Sequence, residues 1–236
     1  MKIKHLIFIF TMISSSFSYG QNFLDGNFTF SKKKESYITL ADGTELKGTI
    51  QNIDRKKGLI EEIKIKDGKG KKIKLKPEEV KFMYIAPSNY DKFSNAYSKL
   101  DDMSELAKDR SLNQSYIKDG YAYFESTEVM IKKKKMTLLL QLLNPGFGSK
   151  IKVYFDPYAK ETMSVGIAGM KVAGGNAKSY YFKKGDNVAF RMFKKNYEEE
   201  INNLYGDCPD LKKEFNKKMG WVYVEKHIFF YDQNCN

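Results

Sequence analysis

The chain is poor in cysteine and histidine, with two of each among its 236 residues. This scarcity excludes a cysteine-rich scaffold and most zinc frameworks, which gather several such ligands at one site. No stretch approaches about 18 consecutive apolar residues, so a membrane-spanning helix is excluded too. Because 42% of the residues are hydrophobic and 14% aromatic, the chain can still bury a core, and wholesale disorder is excluded.

Arginine is also scarce. Of 41 basic residues, Arg55, Arg110 and Arg191 are the arginines, and the other 38 (41 − 3) are lysine. Phosphate and base-edge recognition favours the planar guanidinium group, so nucleic acid is not an expected partner. The excess of lysine instead indicates a solvated surface, with attraction to an anionic polymer or lipid surface as the alternative.

The N-terminus has the pattern of a secretory signal peptide over residues 1–20. Lys2 and Lys4 precede the apolar run 6–13, and the small, polar segment 14–20 places a cleavage site before Gln21. A buried N-terminal strand is the alternative. Since glutamine and not cysteine follows the cut, a lipoprotein anchor is not expected. Cleavage removes two lysines and no acids, so the mature net charge is 39 − 29 = +10.

After a mobile lead-in at residues 21–35, alternating strands predict a small β domain over residues 36–86. Asp42-Gly43 and Asp67-Gly68 are hairpin signals, and Pro77–Glu79 begins a single helical turn before an apolar strand at residues 80–85. Five short, half-polar strands favour a curled sheet or a small barrel.

Residues 87–119 are predicted to be a helical connector. Between residues 88 and 108, apolar side chains recur at helical spacing: Phe93, Tyr97, Leu100, Met103 and Ala107.

A larger antiparallel β domain with a C-terminal helical tail is predicted over residues 120–236. Its first strands are expected at 121–124 and 129–131, and the apolar run 136–143 predicts a central strand buried on both faces. Further alternating segments favour a sandwich or an open barrel. The overall class is α+β, dominated by β structure.

Two helices are expected near the C-terminus, over residues 195–205 and from Pro209 onward, separated by the turn at Gly206. Residues 221–231 fit a last helix or a strand.

Two groups of lysines are candidate contacts for an anionic surface. They lie near predicted turns and comprise Lys69, Lys71, Lys72, Lys132, Lys133, Lys134 and Lys135. Positive charge at hairpin tips and edges also discourages aggregation, which explains these lysines without a partner.

No catalytic, metal or cofactor site is expected. His227 is the only histidine left after cleavage, so a triad or a metal site would have to use it. Acidic residues occur as neighbours such as Glu61 and Glu62, whose side chains point in opposite directions on a strand. The glycines of residues 166–175 do not have the spacing of a phosphate-binding loop, and a hairpin is favoured there.

Cys208 and Cys235 are predicted to form a disulfide, because two cysteines in an exported chain meet an oxidising compartment.

Four segments resemble a group of uncharacterised secreted bacterial envelope proteins. The resemblance covers roughly residues 80–235 and is carried by GYAYFE (120–125), QLLNP (141–145), KSYYFKKG (178–185) and the GDCP turn (206–209) with its closing Cys235. These motifs are structural, so the resemblance implies a location and a fold and no activity.

The function predicted from the sequence is that of an exported, non-enzymatic binding or structural protein, located in the periplasm, at the outer surface or outside the cell. The expected partner is an anionic envelope polymer or another protein. The alternative is a hydrolase that acts on an envelope polymer.

The signal peptide predicts a processed N-terminus. Mass spectrometry of protein from the envelope or the medium is expected to find a first residue at or close to Gln21. Intact Met1 recovered from the cytoplasm would contradict export.

Overall fold

A computed structural model describes residues 22–88, 112–159, 165–167, 170–173 and 176–235. The strands in these ranges are β1 (Glu35–Leu40), β2 (Glu45–Lys56), β3 (Leu59–Asp67), β4 (Lys72–Leu75), β5 (Val80–Ile85), β6 (Ala122–Ile131), β7 (Lys134–Gln141), β8 (Ile151–Tyr154), β9 (Val165–Ile167), β10 (Met170–Ala173), β11 (Ser179–Lys184) and β12 (Ala189–Phe193). The α-helices are α1 (Gln114–Lys118), α2 (Tyr197–Tyr205), α3 (Pro209–Phe215) and α4 (Val224–Asn234), and short 3-10 turns lie at Pro77–Glu79, Lys194–Asn196 and Trp221–Tyr223. The fold is β-dominated α+β, as predicted.

The first four strands form an antiparallel meander, and β5 pairs with β1 on its other side. Strands β4, β3, β2, β1 and β5 lie side by side in that order with antiparallel pairing. The turn between β1 and β2 contains Gly43 at φ 88°, a left-handed conformation that glycine adopts without steric cost. Alternating side chains such as Ile38, Ile50 and Ile63 point into one shared core.

One open sheet of ten strands joins the two predicted β regions. Strand β5 pairs with β6, and the order continues through β12 and β11 to β8. Most pairs are antiparallel, but β12 runs parallel to β6 over Ala189 and Phe190. The hydrogen bonds of this sheet run continuously from one predicted β domain to the other. The predicted domain limits, at residues 36–86, 87–119 and 120–236, are not tested by the sheet and stay predictions.

Strand β6 is a single strand, where the sequence predicted two at residues 121–124 and 129–131. Its ladder with β7 runs without a break from the Phe124–Gln141 pair to the Ile131–Lys134 pair. The polar stretch 125–127 looked like an interruption. Long-range partners bind the side chains of Glu125 and Ser126 inside the fold instead, so the strand continues through this stretch.

Strand β7 is buried on both faces in its second half, as predicted for the run 136–143, but it is not central in the sheet. Leu139 faces the core of the first five strands, whereas Leu138 and Leu140 face a second core. Among the strands of the described ranges, β6 alone pairs with it. Just beyond β7, Leu142 forms an isolated bridge to Tyr154 of β8.

The C-terminal helices cover the outer face of β8, β11 and β12. The helix α2, which lies within the range predicted at 195–205, buries Tyr197, Ile201 and Leu204. Residues 224–234 are helical, which settles the choice left open for residues 221–231. Among the helices in the described ranges, none is long and apolar enough to cross a bilayer.

The segment before β1 is held against the core. The ring of Phe23 is buried, the backbone N–H of Leu24 donates to the Leu143 carbonyl, and Asn27 donates its backbone N–H to Gln141. The lead-in predicted at residues 21–35 is therefore packed on the sheet over this stretch. The predicted signal peptide, and most of the helix predicted between 88 and 108, lie outside the described residues.

The predicted disulfide between Cys208 and Cys235 is confirmed, and both cysteines are buried. It closes a loop with a sequence separation of 27 residues and joins the start of α3 to the end of α4. A loop of this length restricts the unfolded chain by about 3 to 4 kcal/mol in the chain-entropy model.

His227 lies inside the helical layer in a chain of hydrogen bonds. Its Nε2 lies 2.8 Å from the Lys218 carbonyl, which can only accept, so Nε2 carries the proton. Its Nδ1 then accepts from the Tyr197 hydroxyl at 2.7 Å, and Tyr205 donates to Tyr197 at 2.9 Å. Every group in this chain is satisfied with the imidazole neutral. His227 of α4 therefore joins α2 to the segment that follows α3.

Burial lowers the pKa of His227 from 6.5 to about 4. The unfolded chain therefore binds a proton between pH 6.5 and 4 that the folded chain does not bind. Stability is expected to fall as the pH falls through this window, by about 3 kcal/mol from this residue. In His227→Gln, whose amide stays neutral, urea unfolding at pH 7, 5.5 and 4 should show a shallower loss. Parallel losses in both proteins would contradict this assignment.

Candidate ligand-binding face

A row of tyrosines crosses the sheet where β1, β5 and β6 meet. Tyr37 lies opposite Tyr84, and Tyr84 lies opposite Tyr123, so the register places all three on one face. The Tyr84 and Tyr123 ring centroids are 5.0 Å apart. Phe82 extends the row, with its ring 5.9 Å from that of Tyr123.

The short helix α1 adds two rings to this row. Asn113 caps α1 by accepting from the backbone N–H of Ser115, and its own N–H donates to the Tyr84 hydroxyl at 2.7 Å. This places Tyr116 in a stack on Tyr37 at 4.4 Å, and Tyr121 lies 5.5 Å from Tyr116. We call the six rings the tyrosine cluster: Tyr37, Phe82, Tyr84, Tyr116, Tyr121 and Tyr123.

Four rings of the tyrosine cluster are only half-buried: Tyr37, Phe82, Tyr116 and Tyr121. Desolvation, with the neighbouring Tyr37, raises the pKa of Tyr116 and of Tyr121. Both phenols therefore stay neutral at physiological pH and keep a hydroxyl that can donate and accept.

An ion pair lies at the rim of the tyrosine cluster. The Lys47 ammonium lies 5.6 Å from the centre of the Tyr37 ring and 2.9 Å from the Glu35 carboxylate. That hydrogen bond with Glu35 raises the pKa of Lys47. The rim thus carries a compensated ion pair, with the carboxylates of Glu45 and Asp119 also close to the cluster.

A partly buried ion pair adjoins the tyrosine cluster on the same face. Glu125 lies opposite Phe82, and its carboxylate accepts from Lys152 at 2.9 Å through both oxygens. The hydroxyls of Tyr154 and Tyr123 also donate to it, at 2.5 and 3.2 Å. The Glu125 side chain is 14% exposed and that of Lys152 is 26% exposed. Glu125 is thereby held by three donors from β6 and β8.

The polar row continues to β11 and β12. Asp156, whose side chain is fully buried, accepts from Ser179 and from the Nε of Arg191, both at 2.5 Å. Burial, reinforced by the negative charge of Asp156, raises the pKa of nearby Tyr181 to about 12. One face of the sheet therefore carries tyrosine rings followed by two matched ion pairs.

The predicted lysine contacts divide between two hairpin tips. Lys69 and Lys71 lie in the β3–β4 turn, where their backbone N–H groups donate to Asp67, and Lys72 begins β4. All three side chains are exposed.

The second group lies at the β6–β7 tip. Lys132 and Lys133 form the turn, whereas Lys134 and Lys135 belong to β7 and not to the connection, because they continue its ladder with β6. Lys135 also pairs with Glu128 at 3.1 Å. The anionic-surface role of both groups stays a prediction.

The glycine-rich stretch at 166–175 carries a hairpin, with β9 paired antiparallel to β10. The described residues contain no group of three or more histidine, cysteine, aspartate or glutamate side chains able to hold a metal ion.

The tyrosine cluster was missed at the sequence level. The alternation of Tyr121, Tyr123 and Glu125 was a signal that these side chains share one face. What the sequence did not contain was the pairing of β1 with β5 and of β5 with β6, which aligns rings that are distant along the chain.

Comparisons of the chain with family models, curated proteins and solved structures return no match.

The Glu125–Lys152 pair predicts an asymmetric cost of mutation. Lys152→Met leaves the carboxylate without its cation and is expected to cost about 2 to 3 kcal/mol in urea unfolding. The double variant Glu125→Gln, Lys152→Met should be more stable than Lys152→Met alone, because no charge is left unpaired.

Lys135→Met is the matched control for this prediction. It breaks the Lys135–Glu128 pair, whose side chains are 55% and 58% exposed, and should change stability by less than about 1 kcal/mol. If Lys152→Met unfolded at the same urea concentration as this control, Lys152 would have no special role at Glu125.

Proposed function

We propose that the mature chain is an exported binding protein without catalytic activity, and that the tyrosine cluster binds a carbohydrate polymer. The observation that carries the proposal is the cross-strand register that gathers Tyr37, Tyr84 and Tyr123 under the half-buried rings of Tyr116 and Tyr121.

Tyrosine suits this ligand for physical reasons. Its ring offers a flat apolar surface for the C–H face of a sugar, and its hydroxyl can bond to sugar hydroxyls. It also loses little conformational entropy on binding, because it has only two side-chain torsions. The compensated charge at the rim, where Lys47 meets Glu35, favours a ligand that is neutral at this point.

Export is part of the proposal. The N-terminal pattern over residues 1–20 is that of a signal peptide, and the Cys208–Cys235 disulfide is compatible with an oxidising compartment. We place the protein in the periplasm, at the outer surface or outside the cell.

Attraction to an anionic polymer is a second element of the proposal. The mature charge of 39 − 29 = +10 and the exposed lysines at the two hairpin tips support long-range attraction, which salt would screen. The tyrosine cluster would supply the short-range contacts. The hydrolase alternative has no comparable support, since the Glu125 carboxylate is engaged by a lysine and two tyrosines.

Affinity electrophoresis of the mature chain through gels that contain a neutral glucan or polygalacturonate tests the proposal. Tyr116→Ala and Tyr121→Ala should each weaken retention by the glucan by about fivefold, the loss expected for one stacking ring. Phe28→Ala, which removes a 53% exposed aromatic ring outside the cluster, is the matched control and should be retained like the native protein.

The polygalacturonate gel distinguishes binding by the tyrosine cluster from attraction by the lysines at the hairpin tips. Replacing Lys132–Lys135 with serine should weaken retention at low salt and have little effect at physiological salt. Equal retention of all tyrosine variants and the control would exclude the cluster as the site. Turnover of either polymer that is lost on changing one acid would overturn the non-enzymatic assignment.

A further inference from the structure

Two of the three arginines of this lysine-rich chain lie beside one loop, at residues 156–158. Arg55 stands near the end of β2, and Arg191 lies in β12. Arginine differs from lysine in presenting a planar fork of donors, which matches a carboxylate or phosphate group with two parallel hydrogen bonds. In a chain with 41 basic residues, three of them arginine, these positions merit a chemical explanation.

Arg55 has a buried donor without an acceptor. Its Nη1 donates to the Gly58 carbonyl at 3.0 Å within the β2–β3 turn. Its Nη2 is buried and has no hydrogen-bond partner among the described residues. Desolvation lowers the pKa of Arg55, so burial disfavours its charged form. An unpaired donor on a buried cation costs free energy that a bound anion would recover.

The β2–β3 turn sets Arg55 beside the 156–158 loop. Gly58 has a φ of 77°, and a Cβ atom at this position would lie 2.8 Å from the Cβ of Pro157. Glycine is therefore required by both its conformation and this close approach. The next residue, Leu59, packs against the buried cluster that contains Tyr154 and Tyr181. The β2–β3 turn therefore packs against the 156–158 loop.

Arg191 approaches the same loop from β12. Its Nε bonds to the buried Asp156, and its guanidinium lies 5.7 Å from the Tyr158 ring and 4.7 Å from the Phe193 ring. No hydrogen bond joins either terminal nitrogen to another residue in the described ranges. The side chain is 30% exposed, so these donors are within reach of a ligand.

We propose that the β2–β3 turn and the 156–158 loop form a site that binds an oxyanion. Arg55 is its main anion-binding residue, and Arg191 is a second hydrogen-bond donor. The group that the site binds is a carboxylate or a phosphate of an acidic molecule. The site is independent of the tyrosine cluster and does not rest on the carbohydrate proposal. In this proposal the arginines recognise a specific anionic group, whereas the lysines at the two hairpin tips attract anionic molecules in general.

Thermal unfolding of the mature chain tests the site with inorganic phosphate and with acetate, each at 50 mM and compared with chloride at equal ionic strength. For millimolar affinity, the melting temperature should rise by about 3 to 6 °C in at least one of these anions. A gain in phosphate assigns a phosphate group, and a gain in acetate assigns a carboxylate.

Arg55→Gln should abolish this gain without lowering the melting temperature in chloride, because it removes an unpaired buried charge. Arg55→Lys keeps the charge without the fork and should retain only part of the gain. Lys56→Gln removes one charge from the same turn and should keep the full gain.

Two results would overturn the proposal. One is the absence of any anion-specific gain in the native chain. The other is a gain in Arg55→Gln equal to that of the native chain. If Arg55→Gln also lowered the melting temperature in chloride, Arg191→Lys provides a second test. It keeps a cation beside Asp156 and should reduce the gain if the site is real.

Discussion

The β6–β7 hairpin separates two hydrophobic cores, and the arrangement of the rest of the sheet depends on the register between its two strands. Phe124 and Leu139 face the core built by the first five strands, whereas Tyr123 and Leu138 face the second core. Because strand side chains alternate with a period of two, a slip of one residue would exchange the two sets and carry Glu125 into an apolar core. The register of this hairpin therefore also determines where the tyrosine cluster and the polar row can form.

The buried and partly buried charges differ in whether they have a partner of opposite charge. Glu125 and Asp156 are matched by Lys152 and Arg191, so each acid joins two parts of the fold that are distant in sequence. Matched buried pairs contribute little net stability, because desolvation opposes their attraction, but either partner alone would be costly. Arg55 is the contrasting case, since its buried Nη2 has no acceptor in the described part of the chain. This difference separates charged groups that are matched within the fold from one whose buried donor is not matched in the described residues.

Local signals predicted the elements well where neighbours along the chain decide the structure. The Asp42-Gly43 turn, the helical turn at Pro77 and the start of α3 at Pro209 all lie where the sequence indicated. The prediction was wrong where distant partners decide. Strand β6 was divided at its polar centre, because only the folded chain brings Lys152 and Tyr154 to Glu125. The tyrosine cluster was missed for the same reason, since strand register is not written in any one strand.

By itself the sequence determined the β-dominated class, the positions of the hairpin turns and C-terminal helices, and the pairing of the two cysteines, because turn chemistry, periodicity and an even cysteine count are local or countable properties. The tertiary structure alone decided that ten of the strands form one open sheet, that β7 pairs with β6 with both faces of its second half buried, and that Arg191 and the β2–β3 turn meet the same loop. These outcomes depend on which strands pair. Pairing is determined by long-range contacts, and their free energies are set only when the whole core is packed.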